Sequence, residues 1–405
     1  MRVSIGDFKI GVEEKLAVNE VLEKGRISEG VMVKNFEKEF AKFIGVRHVI
    51  AVNSGTSALI AGLTALTYEK SFQVKPGSNV ITTPLTYIAT SSAIVKSGLN
   101  PVYVDVDKDT FLITPENIKQ HLETVDDVSK YSTILPVHLM GYPCDMDEIN
   151  KIAKRYDLKT FEDSSQAHGT IYKDKKAGSL ALLGSFSFYV AHNIQAGEMG
   201  AITTDNEEIA RLSNKVKAQG RECDCPICTR SKGYCPKSVI NPEFDFDPRF
   251  THDLIGYNFK TTEIQAALAL SQLKKASYII KKRQENVRYL NEFLEGFSDI
   301  LQLPKYSNDV SYLAYCVVIK RPEKISRAKL RSELEKNGIE TRPLFGCIPT
   351  QQPAFKYLKN EYARKLPWAE YLGGNAFYVG CHQYLEQKDL DYMVHEFKSV
   401  LSSVT

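Results

Sequence analysis

The sequence lacks three features that would indicate a membrane or a nucleic-acid partner. It has no apolar run approaching the roughly 20 residues that a bilayer-spanning helix needs. Its N-terminal segment MRVSIGDFKIGVEEK is charged and has no apolar core of the kind found in signal peptides. It has no block of lysine or arginine, and its net charge is only +3 over 405 residues. We therefore expect a cytoplasmic protein without nucleic-acid or membrane partners.

The sequence also contains no internal repeat and no low-complexity segment. A chain of 405 residues is too long for one ordinary hydrophobic core. It fits a large domain followed by a smaller one. In a cytoplasmic protein, the eight cysteines are expected to be thiols or metal ligands rather than disulfides.

Short runs rich in β-branched residues alternate with helical patterns through the first half of the chain. The predicted strands are 48–52, 79–83, 102–106, 132–137 and 158–161, and the predicted helices between them include 58–66, 88–96, 115–122 and 145–156. This alternation predicts an α/β fold with a mostly parallel sheet and helices on both of its faces.

Two polar segments follow predicted strands, at the edge where parallel sheets bind ligands. The turn that contains Ser54, Gly55 and Thr56 joins a strand to a helix, which directs free backbone N–H groups toward an anion. The same residue pattern also occurs at an ordinary helix cap that binds no ligand. Asp163 stands at the end of the next such strand, where it is either a ligand-binding carboxylate or a helix cap.

The stretch GSFSFYVAHNIQAGEMG, residues 184–200, begins like a buried strand and breaks into small and polar residues around His192. Together with NSGTSALIAGLTAL, EDSSQAHG and GYNFK, it resembles the DegT/DnrJ/StrS family of sugar aminotransferases. The resemblance covers nearly the whole chain. It implies a fold-type I, aspartate aminotransferase-like fold that depends on pyridoxal phosphate (PLP), with a large domain and a smaller α+β C-terminal domain.

The resemblance implies how the cofactor phosphate would be held. Gly55 and Thr56 match the phosphate-binding turn, and Ser187 matches a further phosphate ligand. Asn258, in the GYN motif, matches a residue that reaches the cofactor phosphate of the neighbouring subunit. We therefore expect a homodimer with shared active sites.

The resemblance also implies how the cofactor ring would be held. Tyr87 matches an aromatic residue stacked on the pyridine ring, Asp163 matches the carboxylate that pairs with the pyridinium nitrogen, and Gln166 matches a residue near the ring hydroxyl. His138 matches a position near the pocket, with contact and structural support both open. In the small domain, Arg342 is a candidate for the phosphates of a sugar nucleotide.

The predicted organisation of the chain follows from these matches. It comprises an N-terminal arm at 1–25, a large cofactor-binding domain at 26–275 with a cysteine-rich loop at 221–260, and a small C-terminal domain at 276–405.

In most of the family, a lysine that binds the cofactor covalently stands at the position of His192. Imidazole cannot form a stable imine, but it can accept and deliver protons near neutral pH. The replacement therefore keeps the base and removes the covalent link. With a histidine at this position, the chain resembles the His-containing 3-dehydratase branch of the family, closest to the CDP-4-keto-6-deoxyglucose 3-dehydratases. These use non-covalent pyridoxamine phosphate (PMP) or PLP to remove the C3 hydroxyl of a nucleotide-linked 4-keto-6-deoxyhexose.

Four cysteines within thirteen residues form the pattern C-x-C-x2-C-x6-C, which predicts a metal site. They are Cys223, Cys225, Cys228 and Cys235. The segment GRECDCP resembles the cluster-binding loop of the iron–sulfur 3-dehydratases, which work with a separate NAD(P)H-dependent reductase. That loop uses a ligand at the position of Ser165 here, and its downstream spacing differs, so zinc stays open as an alternative to an iron–sulfur cluster.

Three functions remain open from the sequence. The first is a reductase-dependent 3-dehydratase with an iron–sulfur cluster. The second is a 3-dehydratase like those that act on GDP-4-keto-6-deoxymannose, with glutamate recycling the cofactor and a structural metal in the cysteine loop. The third is a homologue that binds a sugar nucleotide without catalysis.

Overall fold

The computed structural model describes residues 3–223, 225 and 233–403. The strands β1–β15 are, in chain order, His48–Val52, Asn79–Thr82, Asn100–Tyr103, Tyr131–Leu135, Lys159–Asp163, Ile171–Tyr172, Lys175–Lys176, Leu183–Ser187, Gly200–Thr204, Val239–Ile240, Asp245–Phe246, Leu301–Gln302, Tyr315–Ile319, Arg342–Pro343 and Ala376–Val379.

The helices α1–α12 are Val12–Glu23, Val31–Ile44, Gly55–Tyr68, Ile88–Lys96, Pro115–Thr124, Met146–Arg155, Glu207–Lys217, Glu263–Lys274, Ala276–Leu294, Arg327–Lys336, Pro367–Asn375 and Gln387–Ser402. No helix in the described part of the chain combines the length and the apolar character needed to cross a lipid bilayer.

A seven-stranded sheet forms the larger part of the fold, in the order β1-β9-β8-β5-β4-β2-β3. The neighbouring pairs from β8 to β3 are all parallel, and only β9 runs antiparallel, between β1 and β8. Helix α3 packs against this sheet and is apolar on nearly all sides, as expected for a helix buried between layers. The predicted mostly parallel α/β sheet is therefore confirmed.

A smaller, antiparallel sheet of four strands follows in the C-terminal part, in the order β12-β13-β15-β14. The long helix α9 leads into it and packs on α12, and a separate hydrophobic core lies beneath this sheet. This is the smaller α+β unit that the fold class requires. The exact domain boundaries at residues 25 and 275 stay predictions.

One predicted strand lies elsewhere than expected. The sequence pattern predicted a strand at 102–106, whereas β3 occupies Asn100–Tyr103. The chain leaves the sheet after Tyr103 because the carboxylate of Asp105 accepts hydrogen bonds from the backbone N–H groups of Trp368 (3.0 Å) and Ala369 (2.9 Å). These groups belong to the first turn of α11, so Asp105 caps that helix.

The N-terminal segment contacts both parts of the fold. Val3 pairs with Ile339 in a parallel bridge beside the small sheet, and α1 packs on α8. On α1, the buried carboxylate of Glu14 accepts hydrogen bonds from Ser271 Oγ (3.0 Å) and Lys275 Nζ (2.6 Å). Burial alone would raise the pKa of Glu14, but the hydrogen bonds outweigh it and lower the pKa from 4.5 to about 2.

This contact predicts a pH-dependent stability of the N-terminal helix. Because the pKa of Glu14 is lowered in the folded state, its contribution is complete above pH 4.5 and is lost as the pH falls toward 2. We expect Glu14→Gln to unfold at a lower temperature than the natural protein at pH 7. The difference should shrink between pH 4.5 and pH 3 in thermal unfolding followed by circular dichroism. A difference independent of pH would contradict this assignment.

Candidate active site

A cavity of about 400 Å³ opens where the parallel strands end, between the two sheets. Eight of the residues that the sequence predicted line it, namely Gly55, Thr56, Tyr87, Asp163, Gln166, Ser187, His192 and Arg342. A larger groove, of about 870 Å³, lies beside β3 and is lined by none of them. The predicted residues are therefore brought together from five separate segments of the chain.

The turn between β1 and α3 has the geometry of an anion site. Ser54 caps α3, with its Oγ accepting the backbone N–H of Ser57 at 3.1 Å. Gly55 opens the helix directly against the end of β8, since a Cβ on Gly55 would lie 2.5 Å from the Cβ of Ser187. This close approach sets the Ser187 side chain beside the free N–H groups of a helix N-terminus, an arrangement that suits a phosphate.

Asp163 ends β5 and is 6% exposed. Its Oδ2 accepts the hydroxyl of Thr90 at 2.9 Å, and its Oδ1 accepts the backbone N–H of Ser165 at 3.2 Å. Within the described ranges no lysine, arginine or histidine forms an ion pair with it. Asp163 therefore presents an anionic charge that the chain itself does not neutralise.

Glu162, the neighbour of Asp163, points away from the cavity and is fully buried. Its two oxygens accept the backbone N–H groups of Gly178 (2.8 Å), Leu180 (2.6 Å) and Ala181 (3.0 Å), and also the hydroxyl of Ser164 (3.2 Å). A fifth contact joins Oε2 to His138 Nε2 at 2.8 Å. Glu162 thus fixes the segment that leads from β5 to β8.

His138 is a supporting residue rather than part of the cavity wall. Its Nδ1 accepts the backbone N–H of Cys144 at 3.0 Å. The ring must therefore carry its proton on Nε2, which donates to Glu162. The same region holds Gln166, whose Oε1 accepts the backbone N–H of Met140 at 2.8 Å.

His192 lies in the loop between β8 and β9. Its backbone N–H donates to Tyr189 O at 2.9 Å, and its carbonyl accepts Gln195 Nε2 at 2.9 Å. The ring stands edge-on to His168, with 6.0 Å between the ring centroids. Its Nδ1 is buried and has no hydrogen-bond partner in the described structure, which leaves Nε2 as the nitrogen available to a ligand.

The pKa of His192 is low. Burial first, and then the positive charge of Arg283, lower it from 6.5 to about 4, while the Tyr189 backbone acts in the opposite direction. The imidazole is therefore neutral at physiological pH and able to accept a proton.

Residues of the small sheet close the cavity from the other side. Arg342 pairs with Glu340, with 3.0 Å between Nη2 and Oε1. The ring of Phe345 meets the ring of Tyr87 at a centroid distance of 5.8 Å. Tyr87 is 58% exposed, so one face of its ring is open to a ligand.

Asn258 and the cysteines lie away from the cavity lining. Asn258 is exposed and pairs with Ala218 through a β-bridge. Cys223, Cys225 and Cys235 are partly buried and form no disulfide within the described residues, and Cys228 lies outside them. Within the described part of the chain, no three potential ligands are gathered closely enough to hold a metal ion.

The sequence reasoning missed several residues of the site. Thr90, which binds Asp163, and Thr86, which contacts Thr90 at 3.0 Å, were not singled out. The two threonines are four residues apart at the beginning of α4, a spacing that predicts that they lie on the same side of the chain, and this spacing was the signal in the sequence. Phe345 and Tyr378 also line the cavity.

A profile of the DegT/DnrJ/EryC1/StrS aminotransferase family matches residues 9–398. This chain belongs to that family. Among its relatives is the dTDP-4-dehydro-2,6-dideoxy-D-glucose 3-dehydratase of Saccharopolyspora spinosa, 35% identical over 94% of this chain and 83% of that protein. Another is the GDP-perosamine synthase of Caulobacter vibrioides, 29% identical over 99% of this chain and 98% of that one.

Solved structures of family members have the same fold. The GDP-4-keto-6-deoxy-D-mannose-3-dehydratase of E. coli, solved with bound hydrated PLP, superposes with a TM-score of 0.85 at 29% identity. The alignment covers 98% of this chain and 99% of that one. The expected PLP-dependent, aspartate aminotransferase-like fold is thereby confirmed, and this family contains both 3-dehydratases and enzymes of other names.

Proposed function

We propose that this chain is a PLP- or PMP-dependent 3-dehydratase of a nucleotide-linked 4-keto-6-deoxyhexose. The observation that carries the proposal is the identity of the base. Among the described residues that line the cavity, His192 is present and no lysine is. An aminotransferase of this fold needs a primary amine for covalent attachment, whereas a dehydratase needs a base and a place for the leaving hydroxyl.

The residues present fit the cofactor. Gly55 lets the N-terminus of α3 approach Ser187 closely, so that free backbone N–H groups and a serine hydroxyl lie together where a phosphate would be held. The unneutralised carboxylate of Asp163 is of the kind that pairs with a protonated ring nitrogen. Tyr87 offers an aromatic face, and Gln166 a polar side chain held in place by Met140. In the proposed homodimer, Asn258 would add a phosphate contact from the neighbouring subunit.

When bound, the cofactor supplies an electron-accepting ring that stabilises the negative charge left by removal of a proton. The chain supplies the remaining parts of the reaction. His192 accepts a proton at Nε2, because its low pKa keeps the ring neutral, and then holds that proton near the departing C3 hydroxyl. Arg342 would hold the phosphates of the sugar nucleotide, and Tyr87 and Phe345 line the same cavity.

Replacing Asp163 by asparagine tests the cofactor contacts. The change keeps the shape but removes the charge, and a hydrogen bond to a charged group contributes about 1.5–3 kcal/mol. We expect the affinity for PLP, measured from its absorbance on titration, to fall by about 10- to 100-fold. The control is Asp205→Asn, an exposed position just after β9 and outside the cavity lining, which should leave the affinity for PLP unchanged. Equal affinities in the two variants would contradict the assigned role.

The source of reducing power divides the proposal into two versions. In the first, Cys223, Cys225, Cys228 and Cys235 would hold an iron–sulfur cluster, which would pass electrons from a NAD(P)H-dependent reductase to the site, two in all for each C3 hydroxyl replaced by hydrogen. The four-cysteine pattern supports this version. In the alternative, glutamate restores the amine form of the cofactor, ammonia is released, and the cysteines hold a structural metal such as zinc.

The function is tested by incubating the enzyme with CDP- and GDP-linked 4-keto-6-deoxyhexoses and analysing the products by mass spectrometry. Loss of the C3 oxygen from the product would support the dehydratase. A 4-amino sugar product would indicate an aminotransferase instead, and binding without turnover would indicate a non-catalytic homologue. Turnover with glutamate alone selects the second version. Metal analysis of the purified protein distinguishes iron from zinc.

A further inference from the structure

Arg283, on α9, is a buried cation that no carboxylate of the described chain neutralises. Its side chain is fully buried, and it takes part in no ion pair in the described ranges. Its Nε donates to Gln383 Oε1 at 3.3 Å, and its Nη2 is buried without a hydrogen-bond partner. Because a guanidinium stays protonated inside proteins, this position carries a full positive charge.

The guanidinium also holds a segment that connects to His192. Its Nη1 donates to the carbonyls of Leu313 (2.6 Å) and Tyr312 (3.3 Å). From the other side, Asn193 Nδ2 donates to the carbonyl of Ser311 at 2.8 Å. Asn193 directly follows His192 in the chain, and Leu313 lines the cavity. Arg283 and the His192 loop therefore bind adjacent residues of one segment, 311–313.

Several charged or titratable groups surround His192. On the cavity side these are Tyr87, Asp163, Tyr189, Glu198, Arg342 and Tyr378. On the buried side they are His168 and Arg283. His168 accepts the N–H of Ile194 at its Nδ1 (3.3 Å), so its ring is neutral.

The carboxylates of Asp163 and Glu198 favour a positive imidazole, whereas Arg342 and Arg283 oppose it. Arg342 already forms an ion pair with Glu340, whereas Arg283 forms none with any described residue. Of these charges, the one that adds to burial in lowering the pKa of His192 is that of Arg283.

We propose that Arg283 is a positioning residue for His192: its unneutralised charge keeps the imidazole in the form that accepts protons, and its hydrogen bonds fix the segment on which the His192 loop rests. The guanidinium is fully buried, where solvent screens a charge much less than at the surface. The catalytic consequence rests on the proposed dehydratase function, whereas the electrostatic effect on His192 does not.

The electrostatic effect is measured without substrate, by following the Cε1–H resonances of ¹³C-labelled histidine through a pH titration. The resonance of His192 is assigned by its absence in His192→Asn. In the natural protein we expect a midpoint well below the ordinary value of about 6.5. A midpoint at or above that value would overturn the proposal without any variant of Arg283.

Two substitutions separate charge from shape. Arg283→Met should move the midpoint of His192 upward by about one pH unit, whereas Arg283→Lys, which keeps the charge, should leave it close to the natural value. Arg288→Met, an exposed position on the same helix, is the control. An unchanged midpoint in Arg283→Met, or an equal shift in both Arg283 variants, would overturn the proposal. If Arg283→Met does not fold, Arg283→Gln replaces it and is read in the same way.

A kinetic readout completes the test. In the active enzyme, the pH at which kcat/KM falls off on the acid side should be higher in Arg283→Met than in the natural protein, by the same amount as the midpoint of His192. If the titration behaves as expected but no sugar nucleotide is dehydrated, the proposed function fails while the electrostatic effect stands. If dehydration occurs and the midpoint does not move, the role of Arg283 fails alone.

Discussion

Replacing His192 by asparagine is expected to lower the rate of C3 dehydration by about 10²- to 10⁴-fold, the range that a general base contributes. Asparagine fills similar space but cannot accept a proton at neutral pH. Binding of PLP should change little, because no covalent bond to residue 192 is lost. The rate is measured from the release of the C3 oxygen under single-turnover conditions.

The control for this experiment is His395→Asn, an exposed histidine on α12 that lies outside the cavity lining. A loss of less than tenfold in His192→Asn would show that another group is the base. Borohydride gives an independent readout, since it traps a covalent bond between PLP and a lysine. We expect no trapped adduct in the natural protein and an adduct at residue 192 in His192→Lys.

Glu162→Ala is expected to lower the free energy of unfolding by about 3–5 kcal/mol. The carboxylate accepts five hydrogen bonds in a fully buried position. Each buried donor left without a partner costs about 1–3 kcal/mol, and entering water would satisfy only some of them. Thermal unfolding is the measurement, read as the shift in Tm and, where unfolding is reversible, as the free energy.

The matched control is Glu148→Ala on α6, which removes an exposed pair with Lys151. Such pairs contribute about 0–1 kcal/mol, so its Tm should stay close to that of the natural protein. Glu162→Gln should fall between the two, because the amide keeps one acceptor oxygen. Equal stability of Glu162→Ala and Glu148→Ala would contradict the structural role assigned to Glu162.

Much of the site could be predicted because it follows local rules. Strand ends in a parallel sheet meet at one edge, so the sequence predicts that the turn at Gly55 and the carboxylate of Asp163 lie together, and the resemblance adds Ser187. The small-residue turn before α3 was expected to face an anion, and in the structure Gly55 approaches Ser187 closely there. The resemblance added His192, whose loop has no regular pattern to interpret.

The missed features depend on contacts between segments distant in the sequence. Arg283 stands in the run KKRQEN, which is typical of a solvated helix face, yet it is fully buried and bonded to Leu313 and Gln383. For Glu162, nothing in the sequence shows that residues 178–181 return to its carboxylate. A charged side chain can be identified as buried only when the packing around it is known.

The bridge between Val3 and Ile339 has a practical consequence for handling the protein. Beyond that bridge, Ile5 donates its backbone N–H to Glu340 Oε2 at 2.9 Å, and Glu340 in turn pairs with Arg342 at the cavity. Trimming residues 3–5, or fusing a bulky purification tag directly in front of them, would disturb an arginine more than 330 positions away in the sequence. Expression vectors for kinetic work should therefore carry their tag at the C-terminal side of the chain.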